Sequence, residues 1–404
     1  MKKYNVIDLF AGCGGLLEGF LKEGSYNPIA SVEWKEEPLA NLKNRLEKFW
    51  KIENVAEKCL KMDMQKIDFV LNGWKNDSEY GNGKGLDYLV NKNGNKVDLV
   101  IGGPPCQAYS LAGRIRDENG MKEDYRNFLF ESYLEVVKKY KPKLFIFENV
   151  EGLLSAKPGE KKVVDLISQS IEAIDYHIIS NLKDALIDLS EYGVPQSRKR
   201  VIILGVSKEY YLDSEEVVQR FYKQILKKYK VSVKTSLKEA IIDLPKLYPT
   251  LEYKKNKKKY SHRFEETQIK NHEPRFHNQR DIEIFKKLAE DIESKSYRYK
   301  SSEAKNQLYF EKTGKKTNVH KYHVLDWHKP STTICAHLKK DGLRFIHPDS
   351  SQARTLTVRE TARIQTFDDT YEFISSQGAN YEMIGNAVPP KFSYILAKAV
   401  KELL

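Results

Sequence analysis

The chain has 404 residues and a formal net charge of +12, with 40% hydrophobic and 31% charged residues. That balance fits a globular protein with one large core or, more naturally, two, and it excludes disordered and fibrous chains. No apolar run approaches the length needed to span a bilayer. Asp8 breaks the apolar stretch after Met1-Lys2-Lys3 too early for a secretory leader, so the expected setting is cytoplasmic, with no membrane partner. Cysteines stand at 13, 59, 106 and 335 without CxxC spacing, which argues against a disulfide framework or zinc knuckle and leaves free thiols. The positive charge is uneven: residues 207–330 carry 29 Lys and Arg against 18 Asp and Glu, the rest of the chain 39 against 38. Such a segment suits a polyanion such as nucleic acid, a solvated lysine-rich surface being the plain alternative.

Along residues 1–206, short β-branched runs alternate with amphipathic stretches. Strands are expected at 5–10, 29–34, 97–101, 143–147, 177–181 and 200–206, and helices at 16–22, 38–50, 127–139 and 163–173. The alternation predicts an α/β fold: a doubly wound, mostly parallel, Rossmann-like sheet binding ligands beyond its strands' carboxyl ends. Residues 207–330 lose the pattern, are rich in Lys, Tyr and His, and include Lys254-Lys255-Asn256-Lys257-Lys258-Lys259. A second, smaller domain is expected at 207–370, following a first at 1–206. A polar helix at 357–367 lies within it, and an apolar helix at 391–403 belongs to a C-terminal segment, 371–404, that returns to the first domain.

The first strand runs into Asp8-Leu9-Phe10-Ala11-Gly12-Cys13-Gly14-Gly15. Its glycines allow a sharp turn and close approach to a ligand, and the next helix offers its N-terminal amides; a simple tight turn or a dinucleotide loop would look similar. The second strand ends in Glu33-Trp34, an acid that can hold both ribose hydroxyls and an indole that can cover a purine. Asp63, in Lys61-Met62-Asp63-Met64, can accept from an exocyclic amino group. Together these describe an adenosyl pocket. No basic residue lies between Asp8 and Glu18 to meet a phosphate, which favours S-adenosylmethionine over NAD or ATP.

After the strand at 97–101 comes Gly102-Gly103-Pro104-Pro105-Cys106-Gln107-Ala108-Tyr109-Ser110. Most lone cysteines are small buried hydrophobes, but two prolines directly before Cys106 fix a thiol at a strand's carboxyl end, as a nucleophile requires. The next strand closes on Glu148-Asn149-Val150, and neighbouring strand ends bring Cys106 and Glu148 to one rim. A thiol and a carboxylate there suit activation of cytosine carbon 5: the thiolate adds to carbon 6 while Glu148 hydrogen-bonds or protonates nitrogen 3. A cysteine–histidine hydrolase is disfavoured, because His177 is the one histidine before residue 262 and stands in no motif.

These residues resemble the bacterial cytosine 5-methyltransferases of DNA, of restriction-modification type, over nearly the whole chain except 207–330. The resemblance rests on eight blocks in one order: 8–15, Glu33-Trp34, Asp63, Pro104-Pro105-Cys106-Gln107, Glu148-Asn149-Val150, Gln196-Ser197-Arg198-Lys199-Arg200, 354–367 and Gly385-Asn386-Ala387-Val388. It implies Cys106 as nucleophile, Glu148 as the cytosine-binding acid, and Arg198 and Arg200 near the target base. It places Phe10, Ala11, Gly12, Gly14, Gly15, Glu33, Trp34, Asp63, Met64, Pro105, Leu129, Asn386 and Ala387 at S-adenosylmethionine, and residues 108–125 in a loop that closes over a flipped base. The 207–370 domain becomes a target-recognition domain organised by the helix at 357–367, and Gln107, Ser110, Arg263, Arg275, Arg280 and Arg298 become candidate DNA contacts. The implied partner is double-stranded DNA, met as a monomer, with a cognate restriction endonuclease as a functional rather than physical partner. Two alternatives stand: a transfer-RNA cytosine methyltransferase, which resembles a shorter form with a threonine near the nucleophile motif, and a catalytically inactive DNA-binding regulator, which would have lost Cys106, Glu148 or the glycine loop. Six of the nine histidines lie at 262–328, but without a ligating pattern, so no metal is expected.

Overall fold

Strand β1 (Tyr4–Leu9) is buried from Val6 onward, and β2 (Tyr26–Glu33) at every position but Asn27. Strands apolar on both faces sit inside a parallel sheet covered on both sides, which is why these segments do not alternate with polar residues. In this computed structural model, which describes residues 3–105, 129–157, 162–255, 258–264, 268–317 and 322–404, they are interior strands of an eight-stranded sheet. Its other strands are β3 (Cys59–Lys61), β4 (Leu99–Gly102), β5 (Leu144–Val150), β6 (Tyr176–His177), β7 (Leu186–Asp188) and β8 (Lys199–Ser207). The order is β3-β2-β1-β4-β5-β8-β6, with β7 also paired to β8. From β3 to β5 every pairing is parallel, whereas β8 runs antiparallel to β5, β6 and β7. The doubly wound, mostly parallel sheet expected from the sequence is therefore present. Its strand order reverses between β1 and β4, where open α/β sheets bind their ligands.

Contacts divide the chain into two units. The first comprises Met1–Gly193, Arg198–Ser232 and Ala387–Leu404; the second comprises Val194–Ser197 and Val233–Asn386. These boundaries differ from the expected 207 and 371. Residues 207–232 stay with the sheet because the Tyr222 hydroxyl, just past helix Ser214–Arg220, donates to Ile202 O at 2.7 Å and accepts from Leu204 N at 3.0 Å. Residues 371–386 stay with the second unit, where Tyr381 donates to Leu356 O at 2.7 Å and Phe373 N to Asn271 Oδ1 at 3.0 Å.

Helix α1 (Gly15–Glu23) follows the glycine loop, and α2 (Glu36–Lys48) follows Glu33-Trp34. Helix α3 (Leu129–Tyr140) connects towards β5. The last helix of the first unit, Pro390–Lys401, starts with proline, whose missing amide hydrogen is harmless there. It crosses α1 so closely that a Cβ on Gly19 would stand 2.2 Å from Tyr394 N, and the Ser393 hydroxyl donates to Leu16 O.

In the second unit an antiparallel hairpin, β9 (Tyr248–Lys255) and β10 (Lys258–Arg263), precedes helices α4 (Gln279–Glu293) and α5 (Ser302–Thr313). Ile282, Phe285, Leu288 and Leu308 pack with Tyr322 and Ile346 into one core cluster. Helix α6 (Val358–Ile364) is polar yet buried, because its charges are satisfied internally. Thr357 and Glu360 form a capping box, and Arg354 grips both Glu360 oxygens at 2.7 and 2.6 Å. Arg359 donates to the carbonyls of Lys270, Asp368 and Tyr371. Among the described residues no helix is long and apolar enough to cross a membrane.

Candidate active site

At the carboxyl end of β1, Phe10 and Gly12 adopt left-handed backbone angles (φ 57° and 56°), and Gly14 caps α1 at φ 81°. A Cβ on Gly12 would meet nothing within 4 Å, so the turn leaves open space beside its backbone. Gly14 allows no such addition, since its Cβ would fall 2.5 Å from Leu42 Cδ1 of α2. The turn is tied to β2 by Ala11 N donating to Val32 O at 3.0 Å and Gly12 N to Glu33 Oε2 at 2.9 Å; Lys35 N donates to Glu33 Oε1 at 2.9 Å. Glu33 is buried, which raises its carboxyl pKa, while these amides pull it back. A carboxylate accepts about four hydrogen bonds, so each Glu33 oxygen keeps capacity for a hydroxyl donor. Trp34 beside it is 45% exposed, an indole face with no core to fill. Asp63 is fixed by the backbone and side-chain amides of Gln65 at 2.9 and 3.0 Å; Met64 and Leu129 are buried.

Two strands away, Glu148 occupies the β5 position paired with Ile202. Its Oε1 lies 2.9 Å from Arg200 Nε, both side chains being mostly buried. A Cβ on Gly103 would stand 2.7 Å from Glu148 Oε2, so the loop after β4 passes close against this carboxylate and a side chain there would displace it. Asn149 Nδ2 donates to Pro104 O at 3.2 Å, pinning the same loop. Arg198 differs from Arg200: it is 1% exposed, and its Nη2 donates to Ala387 O at 3.1 Å. Burial pushes the Cys13 and Cys59 thiols up to about 12, so neither is a thiolate at neutral pH.

Cys106, Gln107, Ser110 and the rest of 106–128 lie outside the described residues; Pro105, where the description stops, is partly buried. Asn386 is the last residue of helix Gln377–Asn386 in the second unit. The four candidate DNA-contacting arginines have different surroundings. Arg275 donates to Leu338 O at 2.7 Å and lies 4.7 Å over the Tyr381 ring; Arg280 clamps Asp281 at 2.7 and 2.9 Å. Arg298 lies 5.7 Å over Tyr299, and Arg263 is exposed. Three of the histidines gathered in this segment act in the core: His262 bonds Gln352 O, His272 bonds Pro245 O and Thr357 Oγ1, and His277 accepts from Thr355 N.

The sequence reading missed a buried contact behind the glycine loop. Glu18, in the first turn of α1, accepts from Arg45 Nε and Nη2 of α2 at 3.0 and 2.5 Å and from Trp50 Nε1 at 2.9 Å. Arg45 also stacks 3.6 Å over Phe49. No spacing rule finds a pair split between two helices; the one available signal was an acid among the apolar residues of α1.

The glycine turn and buried Glu33, with the Glu148–Arg200 pair two strands away, line the carboxyl-end rim at which open α/β sheets bind their ligands. Among solved structures, a chain described as a DNA modification methyltransferase encoded within an E. coli prophage superposes with a TM-score of 0.65 at 20% identity, covering 99% of each chain. The model of the C-5 cytosine-specific DNA methylase family matches residues 4–402, and the chain belongs to that family. It is a DNA (cytosine-5)-methyltransferase. Relatives include the type II methyltransferase M.Bpa9945I of Bacillus paralicheniformis, 34% identical over 99% of both chains. The type II methyltransferase M.DdeI of Desulfomicrobium norvegicum is 31% identical over 98% of this chain and 88% of its own length.

Proposed function

We propose that the protein is the modification enzyme of a restriction-modification system. It takes a cytosine out of a short specific duplex site and methylates carbon 5 through a Cys106 adduct, with S-adenosylmethionine as donor. The observation that carries this reading is the Glu148–Arg200 pair, 2.9 Å apart and against Gly103, three residues before Cys106. An acid held there beside a thiol-bearing loop suits a flat heterocycle better than an acyl group. The restriction-modification setting is supported by relatives named type II methyltransferases, matched over nearly the full chain.

The glycine turn fits the donor. Gly12 leaves room for a ligand, Glu33 keeps acceptor capacity for two ribose hydroxyls, Trp34 offers an exposed ring face, and no basic residue asks for a phosphate. When bound, S-adenosylmethionine supplies an electrophilic methyl to carbon 5. Attack at carbon 6 needs both ring faces clear, so the base must leave the stack. Glu148 then holds nitrogen 3 of the ring, oriented by Arg200, while the Cys106 thiolate bonds to carbon 6 and makes carbon 5 nucleophilic. Once carbon 5 is methylated, loss of its proton and expulsion of the thiolate restore the ring. Arg198, enclosed and bonded to Ala387, serves as a positioning residue.

Expression in a host free of cytosine methylation, followed by conversion sequencing, should reveal protected cytosines within one short motif. Cys106→Ala should abolish protection while calorimetry still detects S-adenosylmethionine binding. Soluble wild-type protein that binds the donor yet protects no cytosine would overturn the DNA assignment.

A further inference from the structure

We propose that the exposed side of β10, together with the segment 275–277 that crosses it, is the strip through which the second unit reads duplex DNA. Arg263 meets a base edge, Lys259 a phosphate, and Phe276 packs on a base or sugar. This rests on the DNA reading above and names the residues that execute it.

Side chains alternate along a strand. Tyr260 and His262 point inward, 8% and 0% exposed, and His262 Nε2 anchors the strand to Gln352 O at 2.8 Å. Lys259, Ser261 and Arg263 therefore share the opposite side. At Ser261 that side is crossed by another segment: His277 N donates to Ser261 Oγ at 2.8 Å. Phe276, held in that crossing, is 57% exposed, and Tyr248, the register partner of Arg263, is 50% exposed. Two exposed rings thus stand beside two exposed cations on a strand fixed from behind.

Among the described residues, no hydrogen bond or ion pair engages the side chain of Lys259 or Arg263. Arg275 and Arg280 are committed to Leu338, Tyr381 and Asp281, and Arg298 leans on its neighbour Tyr299. A solvated lysine face explains the cations but not the aromatic rings, which gain from leaving water only when something covers them. Duplex DNA supplies both complements: phosphates for the cations, and base edges or sugars for the rings. A two-stranded ribbon fits the major groove, where arginine pairs bidentately with guanine. A reader carried on a strand is also held more precisely than one on a loop.

The test uses the full-length protein with Arg263→Ala, Lys259→Ala and Phe276→Ala, and Lys286→Ala as a surface control. Methylated motifs are mapped by conversion sequencing, and KM is measured on a duplex containing the wild-type motif. Arg263→Ala should raise KM for DNA about tenfold and relax the motif at one position. Lys259→Ala should weaken binding with the motif unchanged and lower the salt slope by about one unit. Phe276→Ala should raise KM several-fold, while Lys286→Ala and all S-adenosylmethionine affinities stay at wild type. An active wild type with the same motif and KM in Arg263→Ala and Phe276→Ala overturns the strip and leaves the enzyme assignment standing. A wild type that methylates no DNA overturns both.

Discussion

Glu148 and Arg200 show how much one side chain's surroundings decide. The carboxylate is held on one side by a guanidinium at 2.9 Å and passed on the other by the backbone of Gly103, where an added Cβ would stand 2.7 Å from its Oε2. Glu148→Gln keeps the shape but removes the charge and the proton-transfer capacity, and should lower kcat by about 10²–10⁴ with donor affinity unchanged. Single-turnover kinetics beside calorimetry would check this; equal loss of donor binding would relocate Glu148 to the cofactor corner. Arg198→Met should behave differently. It removes the bond to Ala387 O from a buried position and should cost about 1–3 kcal/mol in urea unfolding. Glu33 and Glu148 were legible in the sequence because each closes an apolar strand, where a charge has no packing reason to stand. The different environments of Arg198 and Arg200 were not legible, since both stand in one short basic run and only the surrounding chain tells them apart.

At the scale of elements, α1 and α2 each follow one half of the proposed adenosyl corner, and buried Glu18 and Arg45, with partly buried Trp50, join them. Breaking a buried pair leaves a charge uncompensated, at a cost of about 3–5 kcal/mol, whereas replacing both partners can be nearly neutral. Arg45→Met alone should therefore destabilise strongly and weaken donor binding, and Glu18→Met with Arg45→Met should recover much of the lost stability. A double variant no better than the single would show that packing of the arginine on Phe49 is what matters. Six of the eight strands of the sheet were legible as apolar runs, with ends shifted by a few residues; the three-residue β3 and β7 were not among the expected strands, and the strand expected at 177–181 shortens to Tyr176–His177 on the sheet edge. Helices α4 and α5 were not read. Ile282, Phe285 and Leu288 of α4 do recur at helical spacing, but lysines and acids between them hide it. The β9–β10 hairpin is lysine-rich, a composition with little strand preference of its own, and it owes its place to His262 and Tyr260 beneath it.

For the second unit as a whole, pH is the lever. Burial, with Arg354 nearby, holds His347 down to about 3 and His262 to about 4; burial beside His262 and two arginines holds His277 to about 3. These histidines are neutral when folded and take up protons near pH 6.5 when unfolded, so their contribution is whole above pH 6.5 and is lost as pH falls towards 4. Each group contributes about 1.4 kcal/mol per pH unit. Burial would raise the Glu360 carboxyl, but Arg354 holds it well below the usual range, so its stabilisation goes only below about pH 4. Urea midpoints should therefore fall steeply between pH 6 and 4, and His347→Gln should flatten the slope by about one proton. An unchanged slope would mean that the ring is protonated in the folded state. The sheet unit was legible from its motifs and their order. The extent of the second unit was not, because residues such as Tyr222 and Tyr381 settle it through contacts far along the chain.

The crossing of the final helix over α1 sets a clock on the chain's birth. The groove at Gly19 is closed by Ser393 and Tyr394, which leave the ribosome long after it. At about 5–20 residues per second, the glycine turn must wait roughly 20–75 s for the partner that seals its helix. Until then the nascent polypeptide carries an unfinished donor site, so the enzyme should fall silent on ribosome-stalled chains that lack the last helix and become active only after its release.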